Sequence, residues 1–392
     1  MLNNKLKILL VEDSETDADL LVRFLKKKEI NFSYIRVWTK IDFINATKEK
    51  HIDLIIADHS LPQFSGMEAF RIAKSQNINI PFILVTGTVT ENILAEYAKE
   101  GIDDYILKDN LLRLPSAIEH VIRKKINEEL LEKLGIAHKK IQDSINYSKI
   151  IQNAMLSDTK LFDAEFPESF GFFMPRDVLS GDFYWLKKEG NIFFIAAADC
   201  TGHGIPGALM SMIGIEKLNS MVLQTKELSE ILMQLSNSIA KALTQSTQYE
   251  HSQDGMDIAL CSINKETNTL KFAGANRPLW IIRKGKKEIE EIKGTKKAIG
   301  GVNLNRCTNF ESHEIQLHKG DTFYIFTDGF ADQFGGEKGK KMTTKIFKKL
   351  LIDIQDIAMS HQENYLKSYI EDWKTEKEQI DDILIIGVRV DW

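Results

Sequence analysis

Aspartate residues recur beside short apolar runs in the second half of this 392-residue sequence. The run Phe193–Ala198 predicts a buried strand, and Asp199 stands where that strand should end, before a glycine-rich turn. A carboxylate at a strand tip before such a turn can reach a metal ion without a side chain blocking its approach. The helix predicted after the turn offers N–H groups to an anion. Taken alone, the stretch is equally typical of a tight strand-to-helix turn with a capping aspartate.

Three further acidic motifs have the same character as the one at Asp199. Asp182, Asp328 and the pair Asp381–Asp382 each lie beside a strand-like apolar run. Carboxylates from several strand ends predict one acidic cluster, which is unstable unless cations neutralise it. Hard divalent cations such as Mg²⁺ and Mn²⁺ take oxygen ligands of this kind. The sequence therefore predicts a divalent metal site in this half of the chain.

Residues 1–122 carry a second set of chemically capable side chains. Strand-like and helical patterns alternate five times, which predicts a doubly wound parallel sheet whose function lies at the carboxyl ends of its strands. The residues at those ends, with one aromatic residue in the fifth strand, are Glu12, Asp13, Asp58, Thr86, Tyr105 and Lys108. The acids can hold Mg²⁺, and one aspartate can then accept a phosphoryl group whose oxygens Thr86 and Lys108 would contact.

This pattern resembles the receiver domain of two-component response regulators over about 120 residues. The resemblance implies that Asp58 is the phosphoacceptor and that Glu12, Asp13 and Asp58 bind Mg²⁺. It also implies that Thr86 and Lys108 couple phosphorylation to a shift of the surface that bears Tyr105. A cognate histidine kinase or phosphotransfer protein would be the phosphodonor.

Residues 123–157 predict a long helix that links the two halves. A 4-3 spacing of mostly apolar residues runs along it, with polar breaks at two serines; the positions are Leu130, Leu134, Ala137, Ile141, Ser144, Ser148, Ile151 and Met155. A homodimeric coiled coil is the favoured interpretation. The alternative is a single amphipathic helix that packs on the C-terminal domain.

Residues 158–392 predict an antiparallel α+β sandwich, because strand-like runs follow one another through short turns and two helical blocks interrupt them. The motifs, in order, are Gly181-Asp182, Asp199-Cys-Thr-Gly-His-Gly204, Asp254-Gly-Met-Asp257, Ala273-Gly-Ala-Asn276, Thr327-Asp-Gly329 and Asp381-Asp382. Their order and spacing resemble the metal-dependent PPM-type serine/threonine phosphatases, in the bacterial branch named for the sporulation phosphatase SpoIIE.

The resemblance implies an αββα sandwich with two Mn²⁺ or Mg²⁺ ions between its sheets. It implies that Asp182 is the bridging ligand and that Asp199 is the second, beside the backbone carbonyl of Cys200. Asp328 and Asp381 would be the late ligands, with Asp382 as the neighbour of Asp381. Four further polar residues have open roles. Asp257 is a metal ligand, a residue that supports the ligands, or a strand cap, and Asp254 is a further acid near the site. Arg176 is a phosphate binder or a surface residue, and His203 is a general acid or a local turn residue.

The implied chemistry is hydrolysis of phosphoserine or phosphothreonine on a partner protein, in line, by a hydroxide held between the two ions. The resemblance points to a phosphorylated anti-sigma-factor antagonist of the STAS class as the substrate and to phosphorylation of Asp58 as the control. A second hypothesis is a docking module that keeps the fold without turnover. Because all four aspartate motifs are present, the sequence favours the enzyme.

Composition sets the remaining bounds. The chain is 43% apolar with a net charge of −5, which gives no argument for a nucleic acid or a membrane surface as partner. Three cysteines (Cys200, Cys261 and Cys307) match no metal-ligand spacing and fit free thiols in a reducing compartment. The apolar run near the N-terminus is too short for a signal peptide or a membrane span. We therefore expect a cytoplasmic protein.

Overall fold

The computed structural model describes residues 5–48, 51–62, 64–87, 91–157, 159–244, 254–300 and 309–392. The chain divides into two compact units, Met1–Lys140 and Ile141–Trp392. Cys307 lies outside the described residues, whereas Cys200 and Cys261 are buried free thiols, as predicted for those two.

The first unit contains a five-stranded parallel sheet with the strand order β2-β1-β3-β4-β5. The strands are β1 (Leu6–Val11), β2 (Phe32–Val37), β3 (Leu54–Asp58), β4 (Phe82–Thr86) and β5 (Asp104–Leu107). The helices are α1 (Glu15–Lys27), α2 (Lys40–Thr47), α3 (Gly66–Ser75), α4 (Glu91–Glu100) and α5 (Leu114–Met155), and a 3₁₀ turn (Lys108–Arg113) precedes α5. This is the doubly wound sheet that the alternating pattern predicts.

Both faces of this sheet are covered, and the sequence shows why. Residues of β3 and β4 are buried on both sides, so these strands are continuous apolar runs rather than alternating ones. Three of the helices begin at residues whose hydroxyl oxygen accepts an N–H of the first turn, namely Ser14, Thr39 and Ser65. Because the five strands are parallel, the polar residues at their carboxyl ends lie at one edge of the sheet.

Helix α5 is 42 residues long and confirms the predicted long helix. Its first turns pack on the sheet through Leu114, Ile118 and Val121. Farther along, Leu130 and Leu134 of the predicted seam are 57% and 66% exposed. Pairing of this seam with a second chain stays a prediction, as do the domain boundaries at residues 122 and 157.

Among the described residues, the second unit contains two large antiparallel sheets, one short two-stranded hairpin and six helices that follow α5. The first sheet has the strand order β14-β10-β9-β8-β7, with β13 beside β9, and the second has the order β12-β11-β15-β18-β6. The strands are β6 (Ser169–Met174), β7 (Phe183–Glu189), β8 (Ile192–Cys200), β9 (Gly255–Asn264), β10 (Thr269–Ala275), β11 (Leu279–Ile282), β12 (Glu290–Ile292), β13 (Ile299–Gly300), β14 (Ser312–Gln316), β15 (Thr322–Phe326), the short hairpin β16 (Phe334–Gly335) and β17 (Lys340–Lys341), and β18 (Ile383–Arg389). The helices are α6 (Thr159–Glu165), α7 (Gly204–Met221), α8 (Leu228–Thr244), α9 (Gly329–Asp332), α10 (Thr343–Asp353) and α11 (Met359–Lys374).

Alternation along β8 shows how the layers form. Phe193, Ile195 and Ala197 point into the core between the two sheets, whereas Phe194 and Ala196 point into the core beneath α7 and α8. A third core lies between the second sheet and helices α10 and α11. The layers are therefore helix, sheet, sheet and helix, which confirms the predicted sandwich.

The structure differs from the sequence prediction at several element ends. Strand β8 extends through Asp199 to Cys200, because Asp199 pairs with Asp257 of β9 and keeps the ladder going. Helices α6 and α9 and the short strands β12, β13, β16 and β17 were not predicted, since elements this short give little periodic signal.

Candidate functional site

Four acidic side chains of the second unit line one cavity of about 300 Å³. Asp199 and Asp257 sit opposite each other on neighbouring strands of the first sheet. Asp328 follows β15 and Asp381 precedes β18, so both come from the second sheet. The two sheets thus bring carboxylates to one place, as the spacing of the motifs predicted, and Asp257 belongs to this group.

Asp182 is 2% exposed and is not among the residues that line the cavity. Its Oδ2 atom is buried and has no hydrogen-bond partner. Burial raises the pKa of Asp182 well above its usual range, and the nearby charge of Asp199 raises it further. A buried carboxylate oxygen without a partner is costly, so its position fits a cation bound beside it.

Asp382 holds the backbone that leads to Asp182. Its Oδ1 accepts the N–H of Arg176 at 2.7 Å, and its Oδ2 accepts the N–H of Gly181 at 2.7 Å. Because both oxygens are used in this way, the side chain fixes the loop before Asp182. Its predicted role as a metal ligand stays a prediction.

Mutual repulsion and burial show that the acid cluster needs positive charge. The pKa of Asp199 is raised to about 8, first by burial, and Asp328 and Asp381 raise it further against the opposing effect of Arg277. Burial likewise raises the pKa of Asp257 and of Asp381. Carboxylate oxygens are the donors that Mg²⁺ and Mn²⁺ prefer, so the residues present fit such ions.

Arg277 is a site residue that the sequence prediction missed. Its Nη2 atom lies 2.5 Å from Asp199 Oδ2, 2.7 Å from Asp328 Oδ2 and 3.5 Å from Asp257 Oδ2. The only sequence signal was a lone cation in the turn that follows the Ala273-Gly-Ala-Asn276 motif.

Of the remaining predicted residues of this unit, His203 and Cys200 line the cavity, whereas Arg176 and Asp254 contact residues that line it. His203 lines the cavity, and its Nδ1 atom lies 3.1 Å from Asp177 Oδ2. The guanidinium of Arg176 donates to the carbonyl oxygen of Ile380 at 3.0 Å. Cys200 is buried and burial raises the pKa of its thiol, so this thiol is unsuited to act as a nucleophile. Asp254 Oδ1 lies 3.5 Å from the hydroxyl of Thr201.

The first unit has its own acidic site at the ends of β1 and β3. Ligand atoms of Glu12, Asp13 and Asp58 all lie within 4.8 Å of one another, which suits one divalent ion. Glu12 Oε2 is buried without a hydrogen-bond partner. Burial raises the pKa of Glu12 to about 7 against the opposing N–H of Ser14. The structure therefore gathers the three acids that the sequence singled out.

Lys108 serves these acids as a counter-ion. Its Nζ atom lies 3.0 Å from Asp58 Oδ2, 3.7 Å from Glu12 Oε2 and 2.7 Å from Asp17 Oδ2. Asp17 was not predicted, because it reads as an ordinary first-turn residue of α1.

A buried tyrosine that the sequence prediction missed lies next to the phosphoacceptor candidate. The hydroxyl of Tyr97 lies 2.7 Å from His59 Nδ1. Burial raises the pKa of Tyr97 to about 12, although a hydrogen bond with Thr86 opposes the shift. The ring of the predicted Tyr105 lies 5.9 Å from that of Tyr97. Tyr97 thus connects Thr86 to the surface that carries Tyr105.

Comparisons with known proteins agree with the division of the chain into two units. The family model described as stage II sporulation protein E (SpoIIE) matches residues 189–391, slightly more than half of the chain. The chain belongs to the SpoIIE family. A second model, for the response regulator receiver domain, matches residues 8–119. The chain therefore joins a receiver domain to a domain of the SpoIIE family, which is similar to a solved PP2C domain.

Individual relatives support both halves. The solved SiaA-PP2C domain of Pseudomonas aeruginosa is 32% identical, with a TM-score of 0.58, and the match covers 65% of this chain and 99% of that one. The autoinducer 2 sensor kinase/phosphatase LuxQ of Vibrio vulnificus is 32% identical over 104 residues, which are 26% of this chain and 12% of LuxQ. The regulatory protein VanR of Enterococcus faecium is 32% identical over 102 residues, which are 26% of this chain and 43% of VanR. The match thus spans less than half of either curated relative.

Among the described residues, no helix is both long enough and apolar enough to cross a bilayer.

Proposed function

We propose that this protein removes phosphate from phosphoserine or phosphothreonine on a partner protein and that phosphorylation of Asp58 controls this activity. The observation that carries the proposal is the cavity in which Asp199, Asp328 and Asp381 meet beside the unpartnered Oδ2 atom of Asp182. Such a cluster is suited to metal-assisted hydrolysis, because hydrolysis of this kind needs oxygen ligands and no side-chain nucleophile.

Two Mn²⁺ or Mg²⁺ ions are the proposed cofactors of the cavity. Asp182, Asp199, Asp328 and Asp381 would hold them, with the Cys200 carbonyl as a further ligand. Bound ions would supply charge that polarises the phosphoryl group and acidifies water. The chain's own part is to fix the ligands: strand pairing orients Asp199, and Asp382 immobilises the loop before Asp182.

The proposed substrate is a phosphorylated STAS-type anti-sigma-factor antagonist. Support for this class comes from the SpoIIE resemblance of the motifs, and the exposed position of His203 beside the cavity leaves room for a protein partner. The same resemblance supports an intracellular, cytoplasmic setting.

A receiver domain takes its phosphoryl group from a phosphodonor, and we propose a histidine kinase or a phosphotransfer protein in that role. Mg²⁺ held by Glu12, Asp13 and Asp58 would assist the transfer. Lys108 is already 3.0 Å from Asp58 Oδ2, which supports contact with an incoming phosphoryl group. Thr86 and Tyr105 would then pass on the change.

We further propose a homodimer held by α5. Leu130, Leu134 and Ile141 follow the seam spacing and are 57%, 66% and 60% exposed. A row of large apolar side chains on one helix stripe is typical of a surface that pairs with another helix.

The test of the activity is Mn²⁺-dependent phosphate release from a phosphoserine peptide by the full chain. We expect Asp328→Asn to remove at least about 99% of the rate, because removing a group that stabilises transition-state charge costs roughly 10²–10³-fold. Asp332→Asn is the matched control: Asp332 lies four residues further on and pairs with Lys341 at 2.7 Å, away from the cavity lining. Equal rates in Asp328→Asn and wild type would refute the proposal and favour a docking module.

A further inference from the structure

The backbone around Arg277 is built to hold that residue in one place. A Cβ atom on Gly274 would lie 2.3 Å from the carbonyl oxygen of Arg277, and one on Gly294 would lie 2.5 Å from it. Asn276 adopts a left-handed conformation (φ 59°), and its side chain donates to Asp257 Oδ1 at 2.7 Å. Pro278 further restricts the turn. The position of Arg277 is therefore fixed by its neighbours.

The side chain of Arg277 is the cation of the acid cluster. It is 14% exposed, and its Nη2 atom contacts Asp199 and Asp328, which come from different sheets. Its Nε atom is buried and has no hydrogen-bond partner. Because the guanidinium contacts two carboxylates through Nη2 while its Nε donor stays unsatisfied, attraction between opposite charges is what holds it in this position.

Arg277 also contacts two of the carboxylates that would hold a metal ion. Asp199 and Asp328 are proposed ligands, and each gives its Oδ2 atom to Arg277. Within the described part of the second unit, no three acidic residues bring ligand atoms within 4.8 Å of one another, unlike the three acids of the first unit. The acids of the cavity are thus joined through the guanidinium rather than closed around an ion site.

We propose that Arg277 is an internal counter-ion that neutralises the metal-free cluster and competes with divalent metal for Asp199 and Asp328. The inference rests on the proposed metal site of the phosphatase domain. Metal held by Asp199 or Asp328 would compete with the contact between that carboxylate and the guanidinium, so Arg277 lowers the affinity for metal while it stabilises the metal-free fold. The residue therefore sets the metal concentration at which the site fills.

The test compares Arg277→Gln with the wild-type full chain in Mn²⁺ titrations followed by calorimetry and by the electron paramagnetic resonance of free Mn²⁺. Every chain tested also carries Asp58→Ala, which weakens Mn²⁺ binding at the receiver site, so that the measured binding reports the phosphatase site. We expect Arg277→Gln to bind Mn²⁺ roughly 10- to 100-fold more tightly, the factor that corresponds to one charge-assisted hydrogen bond no longer broken.

A second readout is the unfolding temperature. Without metal, we expect Arg277→Gln to unfold roughly 2–8 °C below wild type, because its acids lack a counter-ion. Saturating Mn²⁺ should remove this difference. Arg283→Gln is the matched control: Arg283 pairs with Asp321 at 2.8 Å and with Glu290 at 3.0 Å, outside the cavity lining. It should lower the unfolding temperature with and without metal and leave Mn²⁺ affinity unchanged.

The possible outcomes separate the inference from the proposal on which it rests. If wild type binds Mn²⁺ and Arg277→Gln binds it equally or more weakly, the counter-ion inference is refuted and the metal site stands. If the Asp58→Ala chain that retains Arg277 binds no Mn²⁺, the counter-ion inference and the proposed metal site are both refuted. Arg277→Lys retains the charge and covers the case in which Arg277→Gln does not fold: affinity above that of wild type supports competition by the guanidinium fork, and affinity equal to it contradicts that competition.

Discussion

Gln152, in the last turn of α5, offers a quantitative test of how this helix supports the active-site loop. Its Nε2 atom donates to the Ser180 carbonyl oxygen at 2.7 Å and to Ser211 Oγ at 3.0 Å. Its Oε1 atom accepts the Ser180 N–H at 3.2 Å. Gln152 is 5% exposed, and Ser180 lies two residues before Asp182. One side chain thus satisfies both backbone groups of the residue that leads to a proposed metal ligand.

The substitution Gln152→Ala would leave the N–H and the carbonyl of Ser180 buried without these partners. An unsatisfied buried group costs about 1–3 kcal/mol, so two of them cost about 2–6 kcal/mol. Water entering the vacated space would place the result near the lower end, and we expect a loss of about 2–3 kcal/mol in the free energy of unfolding of the phosphatase domain. Mn²⁺-dependent activity should fall with it, because the loop before Asp182 loses its anchor.

Urea unfolding followed by tryptophan fluorescence measures this loss, since four of the five tryptophans lie in residues 158–392. The neighbouring Asn153 is exposed, and Asn153→Ala is the matched control, with an expected change within about 0.5 kcal/mol. A change below about 0.5 kcal/mol in Gln152→Ala, equal to that of the control, would refute the reasoning from unsatisfied backbone groups.

Three further expectations concern the rest of the chain. Burial raises the pKa of Asp321, but the backbone N–H of residue 284 and the Arg283 guanidinium outweigh burial and lower this pKa. The lowered pKa stabilises the folded state above the unfolded pKa near 3.8, and this stability is lost as pH falls through the lower pKa of the folded state. Asp321→Asn should therefore cost about 1–3 kcal/mol at pH 7 in urea unfolding, and a cost that persists unchanged below pH 3 would contradict this assignment. Tyr97→Phe removes the hydroxyl bonded to His59 and should lower receiver stability by about 0.5–1.5 kcal/mol in thermal unfolding; an unchanged or raised stability would count against that bond. Leu134→Glu on the exposed α5 seam should halve the mass measured by light scattering. A wild-type chain that already has the mass of a monomer would exclude the coiled coil.

The sequence was most informative where backbone topology alone decides position. In a parallel sheet the carboxyl ends of the strands meet, so Glu12, Asp13 and Asp58 could be grouped from the strand pattern alone. The aspartates of the second unit were likewise found because each lies at a strand end. The end of β8 was misplaced, because its ladder with β9 continues through Asp199, and pairing of distant strands leaves no local signal.

Side-chain contacts between distant segments could not be predicted. Arg277 meets Asp199 and Asp328 across 78 and 51 positions of sequence. Tyr97 reads as one apolar position of an amphipathic helix until the fold brings its hydroxyl to His59. Gln152 reads as a polar residue of a solvated linker until the last turn of α5 is buried. Each depends on packing, which hydrophobic periodicity does not encode.

The measurement that tests the central claim most directly is phosphate release from a phosphoserine substrate in Mn²⁺, with and without beryllofluoride as the phosphoryl mimic on the receiver. The account predicts that the mimic changes the rate of wild type and leaves the rate of Asp58→Ala unchanged, and that Asp328→Asn is inactive in both conditions. A rate that ignores the mimic in wild type, or responds to it equally in Asp58→Ala, would contradict control of the phosphatase by Asp58.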